Sequence, residues 1–84
     1  MSKKIYKEAN KQETETTINV LYSEGILSIY TNKVPLQRQL NKILGEPTKE
    51  YMIKRSISGS VWEIPLKDKS AISKVILKAK IYEL

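Results

Sequence analysis

Tyr51, Lys54 and Arg55 stand close together in the sequence and carry a phenol and two cations. A ribonuclease toxin working without histidine could use such a set to hold a phosphate and move protons. The rest of the catalytic kit is missing. The chain has no histidine, no cysteine and one aspartate, Asp68. Imidazole and thiol chemistry, disulfides and cysteine-based zinc sites are therefore excluded. The glutamates show no paired spacing, and the three glycines are isolated, so no phosphate-cradling loop exists. Ser56, Ser58 and Ser60 have no base to activate them. The blander reading of the Tyr51, Lys54, Arg55 cluster is the polar side of a strand. The chain is expected to be no enzyme, with no catalytic residues, no metal and no cofactor; a ribonuclease-type toxin is the weakest alternative.

A second set is cationic. Net charge is +6, and residues 67–84 contribute +3 of it, against +1 from residues 1–15 and +2 from residues 16–66. Lys74 and Lys78 are four apart and share a helix face, and Lys67 and Lys80 lie near them in sequence. Together they could contact phosphates, which makes a basic nucleic-acid-binding accessory protein the main alternative. The same lysines also suit a solvated helix face and the negative end of a helix dipole.

The third set depends on where the strands fall. Thr16 to Tyr22 alternates, with Ile18, Val20 and Tyr22 on one side, and is rich in β-branched residues, so a strand is expected. Ser23-Glu24-Gly25 reads as a turn and Ile26 to Thr31 as the returning strand of a hairpin. The period then changes: Leu36, Leu40, Ile43 and Leu44 form one helical stripe. Pro35 suits its first turn, and Gly45 followed by Pro47 stops it.

The pattern repeats. A strand is expected over Tyr51 to Ile57, a turn at Ser58-Gly59-Ser60 and a strand over Val61 to Leu66. Pro65 requires that last strand to lie at an edge or to end there. A second helix carries Ile72, Val75, Ile76 and Ala79 on its apolar stripe, with Asp68 or Ser70 as cap. Ile81, Tyr82 and Leu84 are expected to dock on the core.

The order ββαββα predicts an α+β fold, a four-stranded antiparallel sheet with both helices packed on one face. Its core side would carry Ile18, Val20, Tyr22, Leu27, Ile29, Tyr51, Ile53, Trp62, Ile64 and Leu66. Arg55 falls in register with Tyr51, Ile53 and Ile57, so a bulge or a place at the sheet margin is expected there. The uncovered side would show Leu21, Ile26, Tyr30, Met52, Lys54 and Val61 among polar neighbours. That is more hydrophobe than a wetted face wants, and it marks a candidate protein-binding surface or homodimer contact. An RNA-binding sheet would need two or three stacking aromatics there, and only Tyr30 is expected.

Residues 1–15 read as a flexible N-terminal arm and residues 16–84 as one compact domain. The arm has lysines but no apolar run behind them, and no stretch of the chain approaches a membrane span. A disulfide-free small domain suits a reducing cytoplasm.

The run Glu15-Thr16-Thr17-Ile18, then Ile29-Tyr30-Thr31, then Leu40 and Lys42, Pro47, and Trp62 with Pro65 resembles a family of small uncharacterised proteins of Firmicute phages and prophages. The resemblance covers residues 15 to 67. It supplies no catalytic or ligand residues; the lysine-rich arm and the basic C-terminal helix lie outside it. It implies a bacterial host cell and action by binding a host protein, as an inhibitor of a defence system such as a CRISPR effector. The expected function is thus a small non-enzymatic, anti-CRISPR-like binding protein that occupies the surface of a protein partner, with no membrane.

Overall fold

The computed structural model describes residues 5–8 and 13–83. Four strands and two helices follow in the order β1 (Thr16–Leu21), β2 (Ile26–Thr31), α1 (Val34–Leu44), β3 (Lys49–Ile53), β4 (Ser56–Pro65) and α2 (Lys69–Glu83). The sheet is antiparallel throughout, with spatial order β1-β2-β4-β3. Both helices pack on one side of it. The protein is therefore the α+β, ββαββα fold that the periodicities predict.

The core lies between helices and sheet. Leu27 and Ile29 of β2 and Trp62 and Ile64 of β4 meet Leu36 and Leu40 of α1 and Val75 and Ala79 of α2, all buried. Val75 and Ala79 are four apart and share one face of α2, as packing against a layer requires. Pro35 sits in the first turn of α1, where a missing N–H costs nothing. Gly45 ends the helix with φ at 84°, a conformation that favours glycine. Its carbonyl accepts the Trp62 indole N–H at 3.0 Å, so the largest core side chain buries no unsatisfied donor. Asp68 caps α2 through Oδ1, which accepts from the Ala71 N–H at 3.1 Å.

The second hairpin departs from the expected register. The turn is Lys54-Arg55, not Ser58-Gly59-Ser60: Ile53 pairs with Ser56, and β4 runs unbroken through Gly59. Lys54 takes φ 57°, the positive φ that short hairpin turns use at their first central residue. Arg55 misfits a strand because it belongs to this turn. A register shift between Tyr51 and Met52 then sets the pairing. As a result Tyr51 and Ile53, expected in the core, lie on the uncovered side, 42% and 48% exposed. Tyr22 also leaves the expected core set. It sits in a single 3-10 turn, Tyr22–Glu24, and is 83% exposed. Pro65 ends β4, which is a central strand, so the second of its two expected placements holds.

Part of the arm, expected to be flexible, is bonded to the sheet. β4 extends beyond β2 at its N-terminal end, because Thr31, the last residue of β2, already pairs with Ser60. The arm fills the open slot in parallel orientation. Ile57 N–H donates to the Ile5 carbonyl at 2.7 Å, and Lys7 N–H to the Ile57 carbonyl at 2.8 Å. Backbone groups at that depth need partners, and the arm supplies them. Tyr6 points to α1, where its hydroxyl accepts from Asn41 Nδ2 at 2.7 Å and Arg38 lies 5.6 Å from its ring centre. The remaining arm positions 1–4 and 9–12, and Leu84, lie outside the described residues. Tyr82 packs against the core as expected, whereas Ile81 is half exposed.

A polar seam runs under α1. Ser60 donates to Gln37 Oε1 at 2.7 Å, both residues being fully buried. Gln37 Nε2 and Asn41 Oδ1 are buried with no hydrogen-bond partner among the described residues. An orphaned buried group costs about 1–3 kcal/mol, whereas replacing both members of a pair by apolar groups is close to neutral. Ser60→Ala alone is therefore expected to destabilise by about 1–2 kcal/mol. Adding Gln37→Leu should recover most of that loss in urea denaturation. A double variant as unstable as the summed singles would show that Gln37 is fully satisfied in solution.

Candidate functional site

The side of the sheet away from the helices carries Thr17, Asn19 and Leu21 from β1, Ile26, Ser28 and Tyr30 from β2, Val61 and Glu63 from β4, and Lys49, Tyr51 and Ile53 from β3. Directly opposed residues share a face, so the ladders define this surface. Of the expected binding residues, Leu21, Ile26, Tyr30 and Val61 do lie together on it. Met52 does not: it alternates with Tyr51 and Ile53 and points to the other side of the edge strand. Lys54 stands at the hairpin tip. The displaced turn moves both residues, since a one-residue slip exchanges the two faces of a strand.

Tyr30 organises the face. Its ring lies over Gly59 on the neighbouring strand. A Cβ built at Gly59 would stand 2.7 Å from the Tyr30 hydroxyl and 2.8 Å from Cε1, closer than real contacts allow. Glycine is needed here for this approach and not for a turn, as φ is not positive. Beyond Gly59 the ring meets Tyr51 edge-on, with centroids 5.8 Å apart and planes at 75°. Such edge-to-face pairs add about 0.5–1.5 kcal/mol beyond the area they bury. Lys49 Nζ caps the second ring at 4.9 Å from its centre. Tyr30 is the wall shared by two shallow hollows. One, about 710 Å³, runs past Ser28, Lys49, Tyr51, Val61 and Glu63. The other, about 330 Å³, is bordered by the arm residues Lys7 and Glu8 together with Glu13, Asn32 and Ile53.

Burial, with Glu15 and Tyr51 close by, raises the Tyr30 phenol above its ordinary value of 10.0. At neutral pH it is uncharged, a hydrogen-bond donor and a flat apolar surface. The misfit of Arg55 in a core-facing register is the sequence signal bearing on Tyr51: it reads as a bulge or the sheet margin, and the structure places a turn there instead. Nothing in the sequence marks Gly59 as the seat of a ring.

The cationic set is less coherent than its spacing suggests. Lys67 lies in the turn before α2, and Lys74, Lys78 and Lys80 lie on the helix itself. Lys74 and Lys78 share a face, but Lys80 falls about 200° round from Lys78 at roughly 100° per residue. Lys78 is half-buried; the other three are exposed. The ribonuclease cluster divides as well, with Tyr51 on the open face and Lys54 and Arg55 in the turn. Among the described residues no group of three carboxylates is placed to hold a metal ion, and no helix is long and apolar enough to cross a membrane.

Comparison of the chain with family models, with curated proteins and with solved structures finds no match.

Proposed function

We propose that this chain is a non-enzymatic binding module that acts by covering a surface of a protein partner with the open face of its sheet. The observation that carries this is the Tyr30 and Tyr51 pair on Gly59, flanked by Val61, Leu21 and Ile26 and, among the described residues, covered by no element of the fold. Tyrosine gives large, rigid contact area with a polar tip, which is why it recurs at the centres of interfaces. Charges of both signs border the pair, Lys49 and Lys7 against Glu63, Glu13 and Glu15. A mixed rim suits a protein surface better than a phosphate backbone. The resemblance to small phage proteins makes a host defence protein, CRISPR effectors included, the first partner class, with the module as its inhibitor in the host cytoplasm.

Nucleic-acid binding is the second reading, and one observation strengthens it. The face carries two aromatics where one was expected, with Lys49 beside them. Stacking of bases on paired rings is how sheet faces read single strands.

Affinity capture of the tagged chain from a Firmicute lysate, with half the sample treated with nuclease, separates the two. A specific protein retained after nuclease supports the binding module. Recovery that vanishes with nuclease, leaving only nucleic-acid-associated proteins, overturns it in favour of the second reading.

A further inference from the structure

The two edges of the sheet are built differently. β3 carries Lys49 and Glu50, is five residues long and loses register at Tyr51, all features that discourage further pairing. β1 has none of them. Its six residues, Thr-Thr-Ile-Asn-Val-Leu, contain no charge, no proline and no glycine, and its pairing with β2 has no bulge. We propose that β1 is the docking edge for a second copy of this chain, the two β1 strands pairing antiparallel about a twofold axis so that two sheets become one.

The ladder states which backbone groups, among the described residues, point out of the sheet to do this. The Glu15 carbonyl accepts from the Asn32 N–H at 3.2 Å, so the 15/32 pair is a hydrogen-bonded one. Hydrogen-bonded and non-bonded pairs alternate in an antiparallel ladder. Thr17, Asn19 and Leu21 therefore bond to β2, and the N–H and C=O groups of Thr16, Ile18 and Val20 point away from the sheet. The far side of β2 agrees: Leu66 N–H donates to the Gly25 carbonyl, which assigns Leu27, Ile29 and Thr31 to β4 and leaves Ser28 and Tyr30 for β1.

Antiparallel pairing centred on Ile18 is self-complementary. Ile18 faces Ile18 of the second copy, and Thr16 faces its Val20 in both directions. Every outward group of each strand then finds an outward group of the other. Opposed residues have the same parity, so both helix layers fall on the same side of the joined sheet. Ile18 and Val20 lie on the helix side yet remain 39% and 41% exposed, against 4% or less for Leu27, Ile29, Trp62 and Ile64. The helices of one copy leave them partly open, and a second β1 would cover them further. The seam itself is uncharged. One strand pair is small against the roughly 1,600 Å² of a standard interface, so the association is expected to be weak and concentration-dependent. With +6 on each copy, added salt should strengthen the association by screening repulsion.

Sedimentation of the full chain between about 10 µM and 1 mM, spanning the range of weak interfaces, tests this. The expected mass rises from 9.7 kDa towards twice that value, more readily at high salt. Amide exchange over the same range should slow at Thr16, Ile18 and Val20. Ile18→Lys sets like charges against each other across the twofold at a partly exposed position. It should hold the chain at 9.7 kDa with an unchanged far-UV spectrum. The open face is untouched by this variant, so its outcome is independent of the proposed function. A wild-type mass constant at every concentration overturns the proposal, as would be found if a different protein covers β1. Slowed exchange confined to β3 or to the open face overturns it equally.

Discussion

Tyr30→Ala combined with Tyr51→Ala is expected to abolish partner capture and leave a folded domain. Aromatic anchors at the centre of an interface commonly cost 2 kcal/mol or more when truncated, so each change alone should weaken binding at least about 30-fold. The two rings touch, and their effects are not expected to add. Tyr51 is 42% exposed and Tyr30 half-buried, so the fold should lose about 2 kcal/mol or less, within the range of ordinary substitutions. Gly59→Ala is the companion variant. Its methyl group claims the space of the Tyr30 ring and should swing it away, weakening binding with every aromatic atom still present. Isothermal titration against the captured partner, with circular dichroism as the control for folding, measures both. Wild-type affinity in the double variant would remove the open face from consideration.

Leu40→Ala is expected to remove a large share of the domain's stability. Leu40 is fully buried among Leu36, Trp62 and the α2 side chains. Leucine-to-alanine changes at such sites cost about 2–5 kcal/mol, through lost transfer energy and the cavity left behind. A domain of this size has only about 5 kcal/mol to lose. Leu77→Ala removes the same atoms from the same kind of element, but Leu77 is 59% exposed. Its effect should stay within about 0.5 kcal/mol. Urea denaturation of the pair measures the difference directly. Equal midpoints would mean that the core does not lie where the helices and sheet meet.

The first hairpin and both helices were legible because their periods are clean and their punctuation is conventional: Gly25 in the turn, Pro35 at the start of α1, Gly45 at its end. The second hairpin was not, and the reason is local. Ser58-Gly59-Ser60 has the composition of a turn but lies inside a strand, where the glycine makes room for a tyrosine from the neighbouring strand. The actual turn, Lys54-Arg55, contains neither glycine nor asparagine, and Lys54 takes its positive φ without the usual residue type. Because side chains alternate with period two, that single misplacement exchanged Tyr51 with Met52 and gave the candidate face one aromatic in place of two. The docked arm was hidden for a different reason. Its partner is a stretch of β4 left uncovered only because β2 is shorter, and strand-length mismatch across a sheet is a property of the assembled fold.

The Trp62 hydrogen bond to Gly45 also equips the chain with an optical reporter. Trp62 is the single tryptophan, 2% exposed, on the opposite side of the sheet from Tyr30 and Tyr51. Its emission should be blue-shifted in the folded state and move to the red only when α1 separates from β4. Fluorescence excited at the indole band therefore follows folding and is blind to what occupies the tyrosine face. A ligand that quenches the tyrosines while leaving the indole emission in place has bound without disturbing the core, and one sample in one cuvette distinguishes the two events.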